Sequence, residues 1–259
     1  MSRIIVVTSG KGGVGKSSVS VNTASALAMQ NFKVCLIDAD FGLKNLDVMM
    51  GLENRVVYDL KDVIDGKCSI EQVLVRDKRI KGLSLLPACK SLTFDELDTV
   101  HMQALIENLQ TKFDFIIVDS PAGVEKGFDY SISLANEAIV VVNLDVASLR
   151  DADRVVGLLM KKGIADIRMI VNKVNIDDIE QNKSITIEDA VEILSLPVLG
   201  LVYDDHAMIE ANNKGVPIYL KQNHLLQVCF INIAKRILGN NVPYTKYKKK
   251  GIFRRIFLS

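Results

Sequence analysis

The sequence predicts an α/β fold, a doubly wound and mostly parallel sheet with helices on both faces. Three observations carry that expectation. Short β-branched runs alternate with stretches of helical length. Several runs are apolar at every position, as strands covered on both faces require. The first run leads directly into the glycine-rich stretch SGKGGVGKSS at 9–18, a strand-to-helix join suited to phosphate.

Taken in order, IIVVTS (4–9), VCLIDA (34–39), LSLLPA (83–88), FIIVDS (115–120), AIVVVNL (138–144), IRMIVNK (167–173) and VLGLVY (198–203) read as strands. Residues 16–30 and 94–112 read as helices between them. About seven or eight strands follow, with right-handed crossovers and ligands beyond the carboxyl ends of the strands. At 259 residues, 49% of them hydrophobic, the chain has material for one large core. Gly239, Asn240, Asn241 and Pro243 close the last helix, so the main domain is expected over 1–242 and an appendage over 243–259.

The net charge of +1 hides a split. After Glu210 there is no acidic residue, so residues 1–210 carry −9 and residues 211–259 carry +10. Such asymmetry predicts a polyanionic partner for the C-terminal part. The four cysteines, Cys35, Cys68, Cys89 and Cys229, lie far apart without a C-x-x-C pair, which argues against zinc, a disulfide framework and an iron–sulfur carrier. No signal-peptide pattern follows Met1 and no apolar run approaches bilayer length, so a cytosolic location is expected.

GKGGVGKS (10–17) fits G-x-x-x-x-G-K-[ST], with a strand before it and a helix after it. The whole run, Gly10, Lys11, Gly12, Gly13, Val14, Gly15, Lys16, Ser17 and Ser18, is the candidate nucleotide cradle. Backbone N–H groups and the positive end of the helix would face the phosphates, Lys16 would neutralise β- and γ-phosphate charge, and the Ser17 hydroxyl would bind Mg2+. LIDAD ends a strand with Asp38 and Asp40 on one face, and FIIVDSPAG ends another with Asp119. Asp38 and Asp119 are the candidate metal residues, with a carboxylate left to orient an attacking water. Gly123 is placed to act as a switch. In VNKVN (171–175) Asn175 stands where guanine recognition needs a carboxylate, whereas the Asn172 amide can pair with adenine, so ATP is expected.

One residue has no work in that cradle, the second lysine, Lys11. The pattern K-G-G-x-G-K-[ST] resembles the deviant Walker A loop of the ParA/MinD family of ATPases. The resemblance implies that Lys11 reaches the phosphates of a partner's nucleotide, so that ATP drives formation of a homodimer, and that Lys11, Lys16 and Asp40 are the catalytic set, Asp40 activating water. DADFGLKNLDVMMG (38–51), RVVYDLKDVI (55–64), DSPAG (119–123) and SLRDADRV (148–155) narrow it to the family's division-site branch across essentially the whole chain. That branch implies recruitment of the division inhibitor MinC and release by MinE. Partner contacts are expected around Ser148, Arg150, Asp151 and Asp153.

The tail is an independent sign. At about 100° per residue, Ile252, Phe253, Ile256 and Phe257 share one side and Arg254 and Arg255 the other, with Leu258 following. Two turns are too short to persist in water, so this helix is expected to fold on an anionic phospholipid membrane. Two alternatives stay open: a flagellar-number regulator of the same family, and a ParA-type DNA-partitioning ATPase. The apolar stripe argues against nucleic acid as the tail's partner.

Overall fold

The computed structural model describes residues 2–40, 45–89, 99–124 and 126–245. The tail candidates Ile252, Phe253, Arg254, Arg255, Ile256, Phe257 and Leu258 therefore lie outside the described residues.

The apolar runs form β1 (Arg3–Thr8), β2 (Val34–Asp38), β4 (Leu83–Leu86), β5 (Phe115–Asp119), β6 (Glu137–Val142), β7 (Asp166–Val174) and β8 (Val198–Tyr203). An additional pair of residues, β3 (Val75–Arg76), completes one sheet in the order β3-β4-β2-β5-β1-β6-β7-β8. Every pairing is parallel except that of β3 with β4. Strands β2 and β5 are buried at every position, the reason their sequences do not alternate. The chain builds outward on one side of β1 through β5 and on the other from β6, which makes the end of β1 the topological switch point.

The helices are α1 (Lys16–Ala28), α2 (Leu46–Met49), α3 (Leu60–Ile64), α4 (Ile70–Val73), α5 (Thr99–Gln110), α6 (Lys126–Ser133), α7 (Val146–Lys161), α8 (Ile176–Glu180), α9 (Ile187–Leu194), α10 (His206–Asn213) and α11 (Leu225–Ile237). Helix α1 is buried almost along its whole length, between the sheet and α11, and its small residues let both approach. Two of its polar side chains bond back to the preceding turn: the Asn22 amide and the Ser25 hydroxyl donate to the Ser18 and Val21 carbonyls at 2.8 and 2.7 Å. Helix α7 is amphipathic, burying Leu149, Ala152, Val155, Val156 and Leu159 at helical spacing. It begins at Asp145, whose carboxylate accepts the Ser148 N–H at 2.8 Å.

The expected boundary at 242 falls inside a packed segment. Arg236 donates to the Val242 carbonyl and lies 4.3 Å over the Tyr244 ring, while the Tyr203 hydroxyl donates to the Thr245 carbonyl at 2.6 Å. The main body thus runs through Thr245, because the turn formers reverse the chain onto α11 and β8 instead of releasing it. Cys35, Cys89 and Cys229 are buried thiols and Cys68 is partly buried. Burial pushes the Cys229 thiol up to about 11.

Helix α11 rests on β8 at Gly200, where a Cβ would lie 2.3 Å from Ile233 Cγ1. Gly200→Ala should lower stability by about 1–3 kcal/mol through overpacking, measured by urea unfolding. Combined with Ile233→Ala it should cost less than the sum of the two single changes, since the added methyl then has room.

Candidate functional site

Adjacent strand ends assemble the site. β1 leads into the glycine-rich loop, and the β2–β5 register sets Asp38 beside Asp119. Gly13 and Gly15 take φ of 80° and 92°, a conformation that glycine reaches without steric cost. Gly15 caps α1 with no side chain across the helix end, leaving the first N–H groups directed outward. Gly10 touches α7: a Cβ there would lie 2.3 Å from the Asp151 carbonyl carbon.

The Lys16 ammonium sits 2.9 Å from Asp119 Oδ2, the two side chains being 8% and 2% exposed. The Ser17 hydroxyl donates to the same oxygen at 2.8 Å and the Ser20 hydroxyl to Oδ1 at 2.6 Å. Asp38 accepts the N–H groups of Asp40 at 3.2 Å and Leu46 at 3.4 Å, gripping both ends of the connection between them. Burial first, and the Asp119 charge second, push the Asp38 carboxyl up to about 7. Two buried carboxylates side by side against one lysine form a hard-oxygen set short of positive charge, and this fits Mg2+. Ser17, Asp38 and Asp119 would hold it. Among the described residues no cluster of three or more His, Cys, Asp or Glu forms a closed metal cage, so phosphate oxygens and water would supply the remaining ligands.

Asp40 borders a cleft of about 340 Å3 together with Lys11, Gly12, Gly13, Gly15, Lys16, Ser17 and Ser18, bringing most of the expected cradle to one place. The Ser18 hydroxyl accepts from the Asn212 amide at 2.8 Å, which ties it to α10. Lys11 reaches Asp145 at 3.4 Å across partly exposed side chains, 40% and 46%, so the loop's second lysine is paired within its own chain to the cap of α7. The Asn172 amide donates to the Val14 carbonyl at 2.7 Å, and Lys173 donates to the Gly13 carbonyl at 2.8 Å. Asn175, at the position that guanine recognition requires to be acidic, caps α8 with its amide oxygen.

One expectation is corrected. Ser148 is 2% exposed and its hydroxyl accepts the Asn143 N–H at 3.0 Å, so it shapes the start of α7 and offers no docking surface. Arg150 and Asp153 face solvent, and Asp151 is half-buried against the loop. Ser20, Asp145 and Lys173 belong to the site and were not singled out from the sequence. Ser20 follows Lys16 by one helical turn, a signal that was available; the other two contacts join residues 134 and 160 apart.

The CobQ/CobB/MinD/ParA nucleotide binding domain matches residues 5–218. Septum site-determining protein MinD from Synechocystis is 44% identical over 248 residues, covering 95% of this chain and 93% of that protein. The Bacillus subtilis protein of the same name is 41% identical over 260 residues, covering 99% and 97%. The fold superposes on a solved MinC:MinD complex from Aquifex aeolicus with a TM-score of 0.89 at 40% identity, covering 95% of this chain and 99% of that one. It also matches a Pyrococcus horikoshii MinD complexed with Mg-ADP, with a TM-score of 0.78 at 28% identity over 92% of this chain and 96% of that one.

Asp119→Asn should leave the Lys16 charge buried without its partner and lower stability by about 3 kcal/mol in nucleotide-free protein. Mg-ADP should narrow that deficit by giving Lys16 an anion, and urea unfolding with and without it measures both terms.

Proposed function

The chain belongs to the CobQ/CobB/MinD/ParA family of nucleotide-binding domains, and on that premise we propose that it is a septum site-determining ATPase of the MinD kind, an ATP-gated switch between cytosol and membrane. The observation that carries the reading is the two-lysine loop. Lys16 is already inside the site, while Lys11 stands at its rim, held by a partly exposed aspartate.

ATP would draw Lys16 from Asp119 to its β- and γ-phosphates, with the loop N–H groups receiving the same oxygens. Mg2+ bound at Ser17, Asp38 and Asp119 would neutralise developing phosphate charge. Asp40, on the wall of the cleft, orients the attacking water. Because the Asp40 N–H is bound by Asp38, that orientation follows the metal carboxylate. The Gly123 N–H donates to the Ser9 carbonyl, which joins the segment after β5 to the base of the loop. Its φ of 84° gives this joint freedom to change when γ-phosphate leaves.

Lys11 exchanges Asp145 for the phosphates of a second subunit. An exposed ion pair of this kind is worth at most about 1 kcal/mol, so a γ-phosphate outcompetes it. The dimer brings two basic, apolar tails together, and each of residues 252–258 inserts weakly into an anionic bilayer. Two in one particle bind by avidity. The exposed Arg150 and Asp153 on α7 serve as the docking face for MinC, which the Aquifex complex pairs with a MinD, and for MinE, which stimulates hydrolysis and release. Among the described residues no helix is long and apolar enough to cross a membrane.

In ATP, Asp40→Ala should accumulate as a dimer of twice the monomer mass, because hydrolysis no longer resolves it. The double variant Lys11→Ala, Asp40→Ala should remain monomeric. Size-exclusion chromatography with light scattering reads both, and a dimer in the double variant would remove Lys11 from the interface.

A further inference from the structure

We propose that Lys173 is a positioning residue for nucleotide binding, which aims the N–H groups of the phosphate loop by holding a carbonyl on its outer side. The inference rests on the nucleotide-binding reading of the loop and deepens it.

Side chains alternate across a strand, so neighbouring residues 172 and 173 would ordinarily point to opposite faces. Here they do not. Lys173 adopts φ 53°, a left-handed conformation uncommon outside glycine, and the β7–β8 register shifts between Val171 and Val174. With the alternation broken, consecutive side chains reach consecutive carbonyls: Asn172 to Val14 at 2.7 Å and Lys173 to Gly13 at 2.8 Å. The strand end and the loop touch closely as well, since a Cβ on Gly15 would lie 2.2 Å from the Asn172 amide nitrogen.

In a trans peptide the C=O of one residue and the N–H of the next point in opposite directions. Holding the Gly13 carbonyl outward therefore turns the Val14 N–H inward, and holding the Val14 carbonyl does the same for Gly15. These are donors the phosphates need. A left-handed lysine carries a conformational cost that some constraint must offset, and strain of this kind collects at functional sites. Lys173 spends it on the loop, not on the core: its side chain is exposed and its ammonium contacts a loop carbonyl.

A separation of the two roles tests this. Lys173→Gly keeps the left-handed backbone without its cost and removes the ammonium; Lys173→Met removes the ammonium and keeps the stem. Mg-ADP affinity by calorimetry should fall about tenfold in both, the loss of one charge-assisted hydrogen bond. The melting temperature of the nucleotide-free Gly variant should hold or rise. Lys173→Arg, which can still donate to Gly13, should bind within about threefold of the wild type. Wild-type affinity in the Gly and Met variants overturns the proposal, as does an affinity loss in the Gly variant matched by a fall in melting temperature. A wild-type chain that does not bind Mg-ADP overturns instead the reading on which the proposal rests.

Discussion

A single buried ion pair organises the nucleotide-binding end of this molecule. Lys16 and Asp119, 2.9 Å apart and nearly sealed from water, would each be costly to bury alone. Their burial is tolerable because Ser17 and Ser20 saturate the carboxylate and because the pair sits at the head of α1, where helix, loop and strand end converge. The small residues of α1 follow from the same demand, since the helix must lie deep enough to bring Lys16 to the end of β5. Asp38, one strand away, adds a second carboxylate whose burial raises its proton affinity. The site is thus balanced around one cation of its own and prepared for more.

The other half of the sheet grips the loop from outside. Asn172 and Lys173 hold its carbonyls, the Asp151 backbone crowds Gly10, and Asp145 pairs with Lys11. One of those four residues, Asp151, lies on α7 and a second, Asp145, caps it, and α7 also presents Arg150 and Asp153 to solvent. Contacts to the phosphate loop and an exposed charged face therefore share one helix. Lys11 contacts the α7 cap directly, and Arg150 and Asp153 lie one and two residues from Asp151, whose backbone meets Gly10.

Much of this was legible in the sequence, for identifiable reasons. Continuous apolar runs gave strands to within a residue or two, because burial on both faces leaves no polar position to confuse the pattern. That Lys16, Ser17, Asp38 and Asp119 would meet was legible because the loop's pattern and the strand-end carboxylates place them at one edge of the sheet. Strand β3 was not, since two residues carry no period and its pairing depends on β4 alone. Asp145 and Lys173 escaped because their roles arise from contacts across more than 130 residues and from a left-handed lysine that no propensity foretells. Ser148 misled because a serine at a helix start looks like surface, whereas here the Asn143 N–H claims it. The end of the folded body was placed early for a related reason: Gly239 to Pro243 are turn formers, and a turn can return a chain to the core as readily as release it.

The central claim is that ATP, by dimerising the chain, commits it to a membrane. Sedimentation of the full chain with anionic liposomes in ATP and in ADP, beside a variant ending at Lys246, tests it most directly. The account predicts pelleting in ATP, little in ADP, and none for the shortened chain in either. Equal pelleting in both nucleotides, or pelleting that survives removal of residues 247–259, would contradict it.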